Sequence, residues 1–220
     1  VSECAGSIHV LAARATRLLA DGTPDEGSTG SYVTENPMRV AVNPEIEQGE
    51  DRTQKNGADC PCLTYKVPDY VKRWNLELDN CRLEPGLFEL LFGAEVIPGA
   101  APGSMIGNIL PSGVANCDLS TLGVAFEFWT RAWDGDRQNP GFPYIRWVLP
   151  KSIWQLGDHE FNAEFLTVSM TGFTENNPGF TDPYGDMPAE YDNADGKVAW
   201  FYDTAVPEGD CGYAVLGSGS

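Results

Sequence analysis

The stretch TLGVAFEFWTRAW, residues 121–133, decides the fold class. Along an extended backbone its side chains alternate: Val124, Phe126, Phe128 and Thr130 fall on one face, and Gly123, Ala125, Glu127, Trp129 and Arg131 on the other. A period of two, carried by aromatic and β-branched residues, predicts a long strand. One face is apolar and suits a core, while the other carries a carboxylate and a guanidinium.

The same habit extends outward in both directions. IHVLAARATRLL (8–19) reads as a long strand, with Arg14 and Thr16 on one face and Leu11 and Leu19 on the other. DGTPDEGSTGS (21–31) is a loop of turn formers, and MRVAVNP (38–44) is a strand stopped by Pro44. Residues 45–59, EIEQGEDRTQKNGAD, are polar and end in an Asn-Gly turn signal, which predicts an exposed loop or hairpin tip. CLTYKV (62–67) and KRWNLELDNC (72–81) are strands around a short Pro-Asp connection, and YIRWVLPKS, EFNAEFLTVSMTGFTEN, KVAWFYDT and GDCGYAVLG continue the pattern.

A single helix stands out in EPGLFELLFGAE (84–95). Pro85 sits in its first turn, Leu87, Leu90 and Leu91 form an apolar stripe, and Gly93 is placed to cap its end. VIPGAAPGSMIGNILPSG, which follows, reads as a Gly/Pro loop without a period of its own. Roughly eight strands and one helix with no internal repeat predict a mainly β chain, a β-sandwich or barrel with one short helix packed on it. Residues 1–220 read as one domain, with 176–220 an acidic loop plus final strands.

Charge narrows the function. The chain has 32 acidic and 14 basic residues, a formal net charge of −18, and from Asn176 to Ser220 eight acids face one base, Lys197. Such a surface repels nucleic acid and disfavours a reader of DNA, though not a conduit past which DNA slides. The apolar runs are short, which predicts no membrane span. The opening VSECAGSIHVLAARATRLLA has no basic region leading into an apolar core, so synthesis in the cytoplasm without export by the usual route is the expectation.

Catalytic chemistry is thin. There is no G-x-S-x-G, no H-E-x-x-H and no Gly-rich phosphate loop, so no enzyme and no cofactor are expected. Cys60 and Cys62 flank one proline, but Cys4, Cys81, Cys117 and Cys211 are isolated and His9 and His159 have no metal spacing. The pair reads as packed strand cysteines rather than a metal site, and Cys62 with Cys81, on strands expected to be neighbours, is the candidate disulfide. DGDRQNPG (134–141) begins like a calcium loop but has Asn139 and Ile145 where that loop needs Gly and Glu, so it reads as a hairpin loop. Asp182, Asp186, Glu190, Asp192 and Asp195 read as a solvated acidic loop.

In order, RATRLLADGTPDEG, the strand ending at Asn43-Pro44-Glu45, the polar EQGED…KNG tip, the Tyr65–Lys66 strand, NLELDNC and PGLFELLFG have a recognisable cadence. It resembles the major tail (tail tube) proteins of long-tailed, siphovirus-type phages infecting actinobacteria, and VAFEFWTRAWDG and EFLTVSMTG are compatible with it. The resemblance implies a β-sandwich that forms homohexameric rings stacked into a tube, located in the virion tail after assembly in the host cytoplasm. Its implied partners are its own copies, the tail terminator, the distal tail and the tape-measure proteins, with DNA passing transiently. Residues 45–61 would clasp the next ring, through Glu47, Gln48, Glu50, Asp51, Arg52, Lys55 and Asn56, helped by residues 1–7 and 21–31. Asp79, Glu127 and Glu164, strand acids opposite core-facing neighbours, are the candidates for lining an acidic lumen.

Two other readings remain open. Trp129, Trp133, Trp147, Trp154 and Trp200 lie in or beside strands and suit a core, but a carbohydrate-binding or adhesion β-sandwich, calcium-dependent through the acidic loop, would use the same residues. A tail terminator or distal tail ring protein would share the fold and differ in stacking.

Overall fold

The computed structural model describes residues 5–101, 104–110, 123–161, 166–182, 187, 196–207 and 211–214. Among these, strands alternate along the chain as β1 (Gly6–Arg17), β2 (Ser31–Thr34), β3 (Pro37–Glu47), β4 (Asp51–Lys55), β5 (Pro61–Lys66) and β6 (Tyr70–Asn80). Helix α1 (Pro85–Phe92) follows, then β7 (Glu95–Pro98), β8 (Met105–Ile109), β9 (Val124–Asp134) and β10 (Arg137–Gln138). The last strands are β11 (Tyr144–Phe161), β12 (Leu166–Thr174), β13 (Ala199–Asp203) and β14 (Gly212–Tyr213). The mainly β expectation with one helix holds. The strand number is higher because stretches that read as loops carry the short strands β2, β4 and β10 and the hairpin β7–β8.

One antiparallel sheet runs β14-β2-β1-β9-β11-β12-β6-β3, with β10 added to β9 and β13 to β11. The long strand β11 changes neighbours along its length. Tyr144–Val148 pair with β9 and β13, whereas Ser152–Phe161 pair with β12, and the β9 register shifts between Leu149 and Ser152, around Pro150. That change of neighbours folds the sheet over its own core, bringing β3 within 8 Å of β1.

The principal core lies inside this fold. Ala13 and Ala15 of β1, Leu76 and Leu78 of β6, Phe126 and Phe128 of β9, Trp154 of β11 and Met170 of β12 pack there against Leu87, Phe88, Leu90 and Leu91 of α1. Each large apolar side chain withdrawn from water contributes about 1.5–3 kcal/mol. Helix α1 ends as its sequence predicts: Gly93 takes a left-handed backbone (φ 65°), its N–H returns to the Glu89 carbonyl and the Ala94 N–H to that of Phe88. Its other end is set by Gly86, against which the Tyr32 ring lies so closely that a Cβ would fall 2.5 Å from it.

The second face of β9 is covered as well. Ala125 joins Leu18, Val148 and Phe180 in a smaller cluster completed by Ala199 and Phe201, so β9 is buried on both sides for most of its length. Glu127 sits in this layer at 1% exposure, which removes it from any lumen surface. Arg14 Nε donates to Glu127 Oε2 at 2.6 Å, and Arg146 donates through Nε (3.0 Å) and Nη2 to Oε1. The Trp129 ring lies between the two guanidiniums, 5.2 Å from that of Arg14 and 5.1 Å from that of Arg146, and its indole N–H donates to Asp203 Oδ2.

Burial pushes the Glu127 carboxyl up, but the Arg14 and Arg146 charges and their hydrogen bonds outweigh it and hold its pKa below the ordinary 4.5. With the folded value below the unfolded one, this stabilisation is complete above pH ~4.5 and disappears as pH falls through the folded value. Acid unfolding followed by circular dichroism should therefore show a loss below pH ~4.5 that is smaller in Glu127→Gln. At neutral pH, Glu127→Gln should cost about 3–5 kcal/mol in urea unfolding, because two buried guanidiniums lose their counter-charge. Gly86→Ala should cost about 1–3 kcal/mol through the clash with Tyr32, read in the same unfolding curves.

Candidate assembly surface

β3 and β6 pair over the body of the sheet and continue past it to Glu47 opposite Tyr70. Beyond this point the chain forms the β4–β5 hairpin, with Asp51 opposite Lys66, Arg52 opposite Tyr65, Thr53 opposite Thr64 and Gln54 opposite Leu63. The Asn-Gly signal makes its tip: Asn56 Oδ1 accepts from the Ala58 and Cys60 amides, and the Asn56 N–H donates to the Cys60 carbonyl. Gly49 forms its base, where a Cβ would fall 1.7 Å from the Val67 carbonyl oxygen.

Every residue of β4 and β5 is exposed. Directly paired residues share a face, so Leu63 and Tyr65 lie on one side with Gln54 and Arg52. Leu63 is 60% and Tyr65 58% exposed, and Ile46, Tyr70 and Val71 carry exposed apolar surface on towards the body. A polar loop was expected here, and the apolar content of this arm comes from β5 and the start of β6, which read as body strands.

The proposed contact residues divide by what they do locally. Glu47 pairs with Lys72 at 3.2 Å, Arg52 with Glu50 at 2.7 Å and Lys55 with Asp59 at 3.4 Å. Asn56 is occupied in holding the turn, while Asp51 is exposed on β4 and Gln48 on the linker. Arg73 reaches back to Glu45 at 2.6 Å, tying the extended ends of β3 and β6 together.

Of the three lumen candidates, Asp79 remains on an outward strand face. It accepts from Ser169 Oγ at 2.7 Å and pairs with Arg39 at 3.5 Å, and Arg39 also reaches Glu77 at 2.8 Å. Glu127 is an interior residue, as above, and Glu164 lies outside the described residues. The acids of 182–195 lie outside them too, apart from Asp182, which accepts from the Met187 amide. At 134–138, Gly135 (φ 66°) turns the chain from β9 into β10, with Asp134 opposite Arg137.

The candidate Cys62–Cys81 disulfide is absent: both thiols are free. β5, which carries Cys62, pairs only with β4, whereas β6 pairs with β3 and β12, so strands adjacent in sequence are not adjacent in the sheet. Cys60 and Cys62 are exposed on the arm rather than packed, which corrects the core reading of that pair. Cys62 Sγ contacts the Gln54 carbonyl across the hairpin.

The sequence did not reveal a cavity of about 620 Å³ beside the base of the arm. Val42, Trp74, Phe128, Trp147 and Trp200 provide its apolar lining, and Ser7, His9 and Thr130 its polar groups. His9 stands in a left-handed backbone (φ 54°) at the first of two register shifts of β1 against β9, between Ile8 and Val10. Only the paired sheet strands bring these residues together. The signal in the sequence was limited to Trp content.

No protein-family model matches this chain, and no curated protein matches it. Among solved structures it is similar to a chain of the cryo-EM structure of an extracellular contractile injection system, the PVC sheath-tube complex in its extended state. The identity is 11%, the match covers 62% of this chain and 84% of that chain, and the TM-score is 0.26.

Proposed function

We propose that this chain is a non-catalytic structural subunit that assembles with copies of itself, using the β4–β5 arm as a clasp. The arm carries the proposal: a two-stranded hairpin exposed on both faces, with Leu63 and Tyr65 uncovered, is marginal in water on its own. Covering that apolar face on another copy supplies the packing its own chain withholds. Contact between an arm on one part of the surface and a receiving surface elsewhere is heterologous, which generates rings or stacks.

The resemblance of the sequence to tail tube proteins supports a specific form of this assembly: sixfold rings stacked into a tube, joining terminator, distal tail and tape-measure proteins in a virion tail. In that form Asp79, with Glu77 beside it on the same face of β6, would contribute to an acidic lumen, which would repel the DNA backbone and keep the genome sliding. A second reading, a glycan-binding module, draws on the cavity, whose rim residue Trp200 is 55% exposed. A monomer that binds glycans would replace the first reading.

Electron microscopy and sedimentation over a concentration series test the assembly. Wild-type protein should form open-centred sixfold rings or tubes, and Leu63→Ser with Tyr65→Ser should remain monomeric with unfolding changed by no more than about 0.5 kcal/mol. Full assembly of that double variant would discard the arm as the clasp. Because a net charge of −18 makes copies repel, assembly should strengthen as salt rises towards ~0.5 M, where screening shortens the range of the repulsion.

A further inference from the structure

Two thiols far apart in sequence meet the same side chain at the end of the sheet. Asn36 Nδ2 donates to Cys211 Sγ at 2.8 Å and to Glu84 Oε1 at 2.7 Å. Cys81 Sγ contacts the Asn36 carbonyl at 3.5 Å and Asn36 Oδ1 at 4.0 Å. Both cysteines are free, Cys81 exposed and Cys211 half-buried. Both sulfurs thus lie against the same residue, Cys211 on the carboxamide nitrogen of Asn36 and Cys81 against its oxygens.

We infer that Cys81 and Cys211 are an oxidation site, closing to a disulfide that fastens strand β14 to the end of β6. The chemistry requires a low-molecular-weight disulfide as oxidant. The exposed Cys81 thiolate attacks one of its sulfurs, forms a mixed disulfide and releases one small thiol. Cys211, deprotonated in turn, attacks the Cys81 sulfur and expels the second small thiol. The protein gives up two electrons and two protons, and the small disulfide becomes two thiols.

The mechanical consequence follows from how weakly β14 is held. Among the described residues, Gly212–Val33 and Tyr213–Tyr32 pair it to β2, with one further bond from the Ala214 amide to the Ser31 carbonyl. The Tyr213 hydroxyl adds a bond to Glu89 of α1. β14 covers the edge of β2, so the disulfide would keep that edge closed and its reduction would let the edge open. The inference stands apart from the assembly reading, since it concerns a bond within one chain.

The test uses the full chain with Cys4, Cys60, Cys62 and Cys117 replaced by serine, treated with oxidised glutathione. The expected product is a monomer without free thiols or glutathione adducts, in which peptide mapping joins Cys81 to Cys211. Its Tm should rise by on the order of 5–10 °C, reversibly on adding dithiothreitol, because the cross-link closes a long loop. Amide exchange at Tyr32 and Val33 should slow in the oxidised form. Two surviving thiols, two separate glutathione adducts or a disulfide-linked dimer would each overturn the inference. If the four-serine chain does not fold, the same mapping on the oxidised wild-type chain decides: the Cys81–Cys211 link supports the site, and its absence rejects it.

Discussion

A single carboxylate held between two guanidiniums organises the centre of this molecule. Glu127 lies on β9, Arg14 directly opposite on β1, and Arg146 on β11 two residues along on the same face, so the three central strands meet at one buried ionic contact. Withdrawing such charges from water costs several kcal/mol each unless every one is matched, and here the matching groups arrive only when both strand pairs are in register. Sliding β9 by one residue would turn Glu127 towards Phe88 and Trp154 and strand both arginines. The contact therefore serves as a register lock, and Trp129 with Asp203 extends it to β13.

With the centre pinned, the periphery is free to project. β3 and β6 continue beyond the folded body because their far ends are joined by cross-strand pairs such as Arg73–Glu45 and Lys72–Glu47 rather than by a core. The arm is long and two-stranded and exposes Leu63 and Tyr65 on one side, in a protein otherwise protected from association by its negative charge. Repulsion between copies and an apolar arm oppose one another, so assembly depends on the short-range contact being well formed while nonspecific encounters remain unproductive.

The elements legible in advance are those whose causes are local. Alternation in 121–133 and 8–19, the Pro85 and Gly93 limits of the helix and the Asn56-Gly57 turn each depend on residues within a few positions, and each forms. The β7–β8 hairpin was hidden because Gly and Pro interrupt its pattern and its contacts with α1 hold it in place. Cys62 and Cys81 were paired in expectation because their strands are consecutive, an inference that fails once an arm is inserted between β3 and β6. Nothing local could have shown that Cys81 and Cys211, or His9 and Trp200, would become neighbours.

By itself, then, the sequence determined the class of fold, the one helix with its limits and which residues of each strand share a side. These follow from backbone stereochemistry and the two-residue period. Only the tertiary structure decided what each side faces. Glu127 and Asp79 have the same strand logic, yet β13 and the segment around Phe180 cover the face of one, while Asp79 stays on an outward face of β6. Alternation specifies parity, whereas burial depends on which distant segment arrives to cover a face, and that is set by the order of strands in the folded sheet.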